Sequence, residues 1–350
     1  MIVWSDNQLA KFSEGYGYTP DCLYTHIGSS ELPIRRSVPT RPEEIGRIQM
    51  GVNLGYFAKN DYPNEIVINH SVPETFVKSM RYSVGFTFWE TNRLPDDWVR
   101  NCNEMDEIWT CSVAMQEVFI NSGIKKPVHE FKLGVDPDLY KPVKRKPHNQ
   151  FTFLSVGSPA TRKNSQLSLD AFIKVFGNND NYRLIYKSNG PPDARIKTGD
   201  AIGPIQHPRI TVIDDELSHA DFAKIYDLAD CVLFPTSGEG WGNLPFQGIA
   251  KGIPTICTNI LACTEFANMS VPLDFDWDSS TTFGQYVGAG EWAKPNFNDL
   301  CDKMKYVADN YEAVSDKTYK NALWINKNMT WQKVSEKYIK RMWEILEGNK

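Results

Sequence analysis

Pro235-Thr-Ser-Gly-Glu-Gly-Trp-Gly-Asn-Leu-Pro-Phe-Gln247 joins a glycine-rich turn, an acid inside that turn and the start of a helix. The residues before it, Ala229-Asp-Cys-Val-Leu-Phe234, read as a short buried strand, apolar and rich in β-formers. Gly238, Gly240 and Gly242 let the backbone approach a ligand closely. Pro245 suits a first helical turn, and Gly252 with Pro254 ends that helix. The free N–H groups at the helix start favour an anion. Glu239 is a poor phosphate partner and a good acceptor for sugar hydroxyls. A turn offering both groups suits a phosphorylated sugar. Glycines alone, however, fit an ordinary strand–turn–helix corner equally well.

Outward from this stretch, the second half of the chain alternates strands and helices. Phe151-Thr-Phe-Leu-Ser-Val156 is a strand ended by Gly157, followed by a polar loop with Pro159, Arg162, Lys163 and Asn164. Asn164 is placed to cap a helix over 165–176, which Gly177 stops. Strands follow at 182–186, 210–213 and 254–257. Ser218-x-x-Asp221 resembles a capping box opening a helix over 220–228. This alternation predicts a parallel, doubly wound sheet, which binds ligands outside the carboxyl ends of its strands. The loops 157–164 and 235–243 both follow strand ends and can share one crevice.

The first half is less regular. Residues 2–4, 65–69, 83–88, 107–110 and 129–133 read as strands, and 7–42, rich in Gly, Pro and Ser, as irregular. A turn-rich exit from Gly134 to Pro142 leads into a basic, Pro-containing linker ending near Gln150. At the far end Thr330 caps a helix whose apolar face is Trp331, Val334, Tyr338, Met342, Ile345 and Leu346.

Composition bounds the rest. A length of 350 residues, 41% hydrophobic and 23% charged, fits two globular domains. The net charge of -5 weighs against a nucleic-acid partner, which leaves a basic footprint, while leaving a local patch open. Seven scattered cysteines without a C-x-x-C pair suit reduced thiols in a cytoplasm. No apolar run approaches the ~18 residues of a membrane helix, and the first residues do not read as a signal peptide.

Four segments carry a resemblance. They are Trp89-Glu-Thr-Asn-Arg-Leu-Pro95 with Asp106-Glu-Ile-Trp-Thr-Cys-Ser112; Lys132-Leu-Gly-Val-Asp136 with Tyr140-Lys-Pro142; Ser155-Val-Gly-Ser-Pro-Ala-Thr-Arg-Lys-Asn164; and Ala223-Lys-Ile-Tyr-Asp-Leu-Ala-Asp230 running through the glycine-rich turn to Thr255. In this order and spacing the chain resembles a family 4 retaining glycosyltransferase (glycosyl transferases group 1). Residues 1–80 carry little of the pattern.

The resemblance implies an α/β chain of the GT-B fold, two Rossmann-like doubly wound domains facing a central cleft. The N-terminal, acceptor-side domain takes 1–145 and the nucleotide-sugar domain 146–330. The helix 331–350 returns to the first. By the same resemblance, Lys163, six residues after Gly157, and Arg162 hold the donor diphosphate; the arginine the family often has directly after that glycine is Ser158 here. Fixed cations there stabilise a leaving diphosphate. Lys187 is a weaker diphosphate candidate, or an exposed lysine.

The family's E-x7-E motif falls on Glu239, for the donor sugar and the oxocarbenium-like transition state, and on Gln247, where the family has an acid toward the ribose. Gly240, Trp241, Gly242, Asn243 and Leu244 then cover the diphosphate and sugar. His70 is the candidate histidine near the donor sugar, or a structural histidine. On the acceptor side, Gly15, Tyr16 and Gly17 match a glycine-containing loop, and Glu90, ending a strand, contacts the acceptor or bridges the domains. Asp274-x-Asp276-x-Asp278 imitates a metal-binding D-x-D without its context, so no metal or other cofactor is expected.

The expected function is retaining transfer of a sugar from a UDP- or GDP-sugar to a hydroxyl of a glycan, lipid-linked or protein acceptor. Two alternatives stand beside it: glycosylation of modified DNA bases, and nucleotide-sugar binding without catalysis, which Gln247 keeps open.

Overall fold

A computed structural model describes residues 2–6, 15–37, 65–157, 161–188, 196–198, 201–203, 205, 207–279 and 284–348. Ser158 and Pro159 of the basic loop, and 7–14 and 38–42 of the irregular stretch, lie outside the described residues. The chain divides into two compact units. The first comprises Met1–Gly134, Thr282–Gly290 and Asn328–Lys350; the second comprises Val135–Thr281 and Glu291–Lys327.

The first unit is built on six strands: β1 (Ile2–Asp6), β2 (Ile34–Ser37), β3 (Ile66–His70), β4 (Tyr82–Phe86), β5 (Glu107–Thr110) and β6 (Val128–Glu130). They are all parallel, in the order β2-β1-β3-β4-β5-β6. Helices α1 (Gly15–Ile27), α2 (Asp96–Glu104) and α3 (Val113–Asn121) connect them. Two of these elements correct the irregular reading of 7–42. Helix α1 forms despite two glycines and an interior proline, because Leu23 and Ile27 are fully buried and the helix packs on the C-terminal helix Trp331–Leu346; packing overrides local propensity. Strand β2, Ile-Arg-Arg-Ser, lacks an apolar pattern because it is an edge strand held on one side by β1.

The second unit repeats the architecture with β7 (Phe151–Gly157), α4 (Ser165–Phe176), β8 (Tyr182–Ser188), the small hairpin β9 (Ile196–Thr198) and β10 (Ala201–Gly203), β11 (Ile210–Ile213), α5 (His219–Ile225), β12 (Cys231–Phe234), α6 (Asn243–Ala250), β13 (Thr255–Thr258) and β14 (Val271–Leu273). Its main sheet is parallel in the order β11-β8-β7-β12-β13-β14. A hairpin, β15 (Phe275–Asp278) and β16 (Trp292–Pro295), then leads into α7 (Phe297–Asp309) and α8 (Tyr311–Asn328). The core is aromatic: Phe153 stacks on Phe176, which stacks on Tyr182. Ser218 caps α5 by accepting from the Asp221 N–H.

The presumed linker is held to the second unit. Val143 N–H donates to the Lys251 carbonyl at 3.2 Å. Arg145 pairs with Asp227 at 2.7 Å and His148 with Asp230 at 2.8 Å. Two acids in the motif before β12 therefore fix a stretch whose composition looks like loose chain. Among the described residues no helix is long and apolar enough to cross a membrane.

Candidate active site

Strand order places the site. Counted along the chain, the six main strands of the second unit run 3-2-1-4-5-6 across the sheet. In such a sheet the crossovers leave in opposite directions from the first and fourth strands, and a crevice opens between the loops at their carboxyl ends. Those strands are β7 and β12, hydrogen-bonded neighbours. The loops after them carry Arg162–Asn164 and the glycine-rich turn, so the two segments singled out by sequence meet at the switch point.

The loops are sewn together by their own polar groups. Ser237 N–H donates to the Arg162 carbonyl at 2.8 Å. Asn164 does not cap α4 with its side chain. Its backbone is left-handed, at φ 50°, and its amide donates to the Pro235 carbonyl at 2.9 Å and to Ser237 Oγ at 2.8 Å. Asparagine tolerates this conformation better than most residues; the expected cap is here a tether between loops. Gly157 allows the basic loop to turn back, since a Cβ there would lie 3.0 Å from Lys163 Cβ.

At the centre is Glu239, 7% exposed. Its Oε1 accepts from Thr236 Oγ1 at 2.9 Å, from Arg162 at 3.0 Å and from Lys163 Nζ at 2.5 Å. Among the described residues Oε2 has no hydrogen-bond partner. Burial pushes this carboxyl's pKa up, but Lys163, Arg162 and the Thr236 hydrogen bond outweigh it and hold the group below its ordinary value. The group is therefore an anion with one saturated and one open oxygen, beside two cations. Gly238, Gly240 and Trp241 surround it as buried residues, with Trp241 edge-on to Phe246.

Gly242 sits at φ 93° and starts α6 without a side-chain cap. A Cβ there would lie 3.2 Å from Cys263 Sγ and 3.2 Å from Phe266. Asn243 and Leu244 open the helix half-buried, and Pro245 is in its first turn. Lys187 is not the exposed alternative: it is buried at the end of β8, in register with Val156 of β7, and donates to the Ser188 carbonyl. Burial lowers its pKa, with Asp214 and Asp215 acting against that shift. Gln247 is buried on α6, and Tyr226 Oη lies 3.4 Å from its Oε1 while donating to the Leu244 carbonyl at 2.9 Å.

The remaining candidates lie in the first unit. His70 ends β3, beside the equivalent switch point between β1 and β3. It is 1% exposed, stacked on Phe86 at 4.5 Å and edge-on to Trp4 and Phe88. Glu90 does not end a strand; β4 stops at Phe86, and Glu90 accepts from Tyr286 Oη at 3.0 Å. Gly15, Tyr16 and Gly17 form the first turn of α1 rather than a flexible loop. Asp276 and Asp278 lie on β15, and among the described residues no cluster of three or more His, Cys, Asp or Glu is placed to hold a metal. Sequence reading missed Thr236, Tyr226 and Tyr286; the first two lie in the quoted stretches, and Tyr286 carries no local signal.

A parallel-sheet domain with a cation pair and a buried acid at its switch point can be set beside known proteins. Residues 150–272 match the model of the family "Glycosyl transferases group 1". No curated protein sequence matches the chain. Similar solved structures include a sucrose-phosphate synthase from Thermosynechococcus elongatus, at TM-score 0.71 and 12% identity, covering 99% of each chain. An alpha,alpha-trehalose-phosphate synthase (UDP-forming) from Burkholderia xenovorans in complex with glucose-6-phosphate gives 0.66 and 8% identity over 98% of this chain and 99% of that one. A trehalose-6-phosphate synthase studied for glycosyltransfer with retention gives 0.60 and 10% over 97% and 85%. At these identities the likeness is one of fold. The chain therefore has the GT-B fold, and its residues 150–272 resemble the group 1 glycosyltransferases.

Proposed function

We propose that the protein transfers a sugar, with retention, from a UDP- or GDP-sugar to a hydroxyl of a glycan, lipid-linked or protein acceptor. The observation that carries this reading is the asymmetry of Glu239: Oε1 is saturated by Thr236, Arg162 and Lys163, while Oε2 is left to accept from a sugar hydroxyl. As the bond from the anomeric carbon breaks, its electron pair goes to the diphosphate. Arg162 and Lys163 face that growing charge, and the N–H groups of Asn243 and Leu244 add to it. Gly157 brings Lys163 into place, and Lys187 is a second cation at the same strand ends. His70, Glu90 and the segment Gly15–Gly17 make the acceptor side. The retained stereochemistry and the UDP donor draw support from the structural neighbours. Cationic side chains take the part of a metal, so no cofactor is required. Seven cysteines, six of them buried thiols, suit a reducing compartment such as a cytoplasm.

The test is release of nucleotide from a panel of UDP- and GDP-sugars, with the anomer of the transferred sugar read by NMR. Release by the parent enzyme that Glu239→Gln abolishes supports the reading. Failure of the parent to bind or turn over every donor overturns it.

A further inference from the structure

Tyr226 is fully buried just after α5, and its hydroxyl stands between two groups of the donor helix. The Leu244 carbonyl lies 2.9 Å away and Gln247 Oε1 3.4 Å away. A phenol carries one proton. The nearer carbonyl takes it, and the phenol oxygen can then only accept from Gln247. An amide oxygen facing it sets lone pair against lone pair in a buried place, where an unmade hydrogen bond costs its full desolvation. The two ends of a glutamine amide have the same shape, and the network decides which faces which partner. A half-turn of the amide puts N–H on Tyr226 Oη and sends the carbonyl oxygen away from it.

We infer that Tyr226 is a positioning residue that fixes the Gln247 amide with its N–H group inward, so that glutamine shows a ligand an acceptor, as a carboxylate does. The inference rests on the donor-side reading proposed above. Gln247 then serves hydroxyl donors such as a ribose diol, without charge. Among the described residues Tyr226 is the amide's one polar contact, which leaves the orientation to this single hydroxyl.

Calorimetry with uridine and guanosine diphosphate tests this. Gln247→Leu and Tyr226→Phe should each weaken binding by about fivefold, and the double variant no further. Gln247→Glu, which keeps an outward acceptor, should recover the affinity that Gln247→Leu loses. Additive losses overturn the inference, because they mean that Tyr226 acts on the fold alone. So does a Gln247→Glu variant as weak as Gln247→Leu, since the amide then offers its N–H outward. The two Gln247 variants decide the orientation even if Tyr226→Phe unfolds. Lys163→Ala separates the premises: if it abolishes binding while Tyr226→Phe binds as the parent does, only the inference falls. If the parent binds neither nucleotide, both fall.

Discussion

Glu107 and Glu239 are both buried carboxylates held by an arginine, yet they sit at opposite ends of their sheets. Glu107 is the first residue of β5, at the amino end of the strands. It is 0% exposed, and both its oxygens are used: Trp109 donates to Oε1 at 2.6 Å, while Tyr82 at 2.9 Å and Arg341 at 2.6 Å donate to Oε2. Burial pushes its pKa up, but His129, Arg341 and Trp109 more than reverse this and bring it to about 2. Glu239 lies past the carboxyl end of β12, and its partners crowd onto one oxygen. A carboxylate with both oxygens paired is a joint; one with an oxygen to spare can accept from a ligand. The strand ends make the same distinction, because a doubly wound sheet opens its crevice at the carboxyl ends.

The largest expected effect breaks the joint. Glu107→Ala leaves Arg341 without its buried partner and should cost about 3–5 kcal/mol of stability, seen as a lower urea midpoint. Glu239→Ala should leave that midpoint much nearer the parent's while abolishing turnover. Equal losses of stability would erase the distinction between the two acids.

Acid sharpens the same contrast. Because Glu107 has a folded pKa of about 2 against an ordinary 4.5, its contribution is fully present above pH 4.5. It fades as pH falls through 2, by on the order of 3 kcal/mol. Urea titrations at pH 5 and pH 3 should therefore show the parent losing more stability than Glu107→Gln.

On the other side, Lys163→Ala or Arg162→Ala should lower turnover at least tenfold, about 1.4 kcal/mol, with the fold intact by circular dichroism. Wild-type rates in both variants would remove the diphosphate role. The smallest effect is that of EDTA, which should leave most activity in place; loss restored by manganese or magnesium would show that the cation pair is not sufficient.

The second unit was legible because its signals are local. Glycines and apolar runs named β7, α4, β12 and α6, and so placed the loops after β7 and β12 on neighbouring strand ends. What escaped depends on contacts far apart in sequence. Asn164 reads as a cap until Pro235 and Ser237 compete for its amide. Helix α1 has the composition of a loop, and only its burial against the C-terminal helix explains it. Arg145 and His148 look like linker charge until Asp227 and Asp230 are seen to hold them. Tyr286 lies almost two hundred residues from Glu90, beyond the reach of any motif.

The membership of Asn328–Lys350 in the first unit has a consequence for synthesis. All six strands of that unit have been made by Glu130, yet Arg341, which answers Glu107, and Tyr338, which donates to the Phe131 carbonyl at 2.9 Å, come last. The first unit is therefore completed only after the sequence of the second has been made. On the ribosome Glu107 has Trp109 and Tyr82 well before it has Arg341, while the second unit already has its whole sequence. A chain stopped at Lys327 should yield a folded second unit attached to a first unit that remains open to proteases.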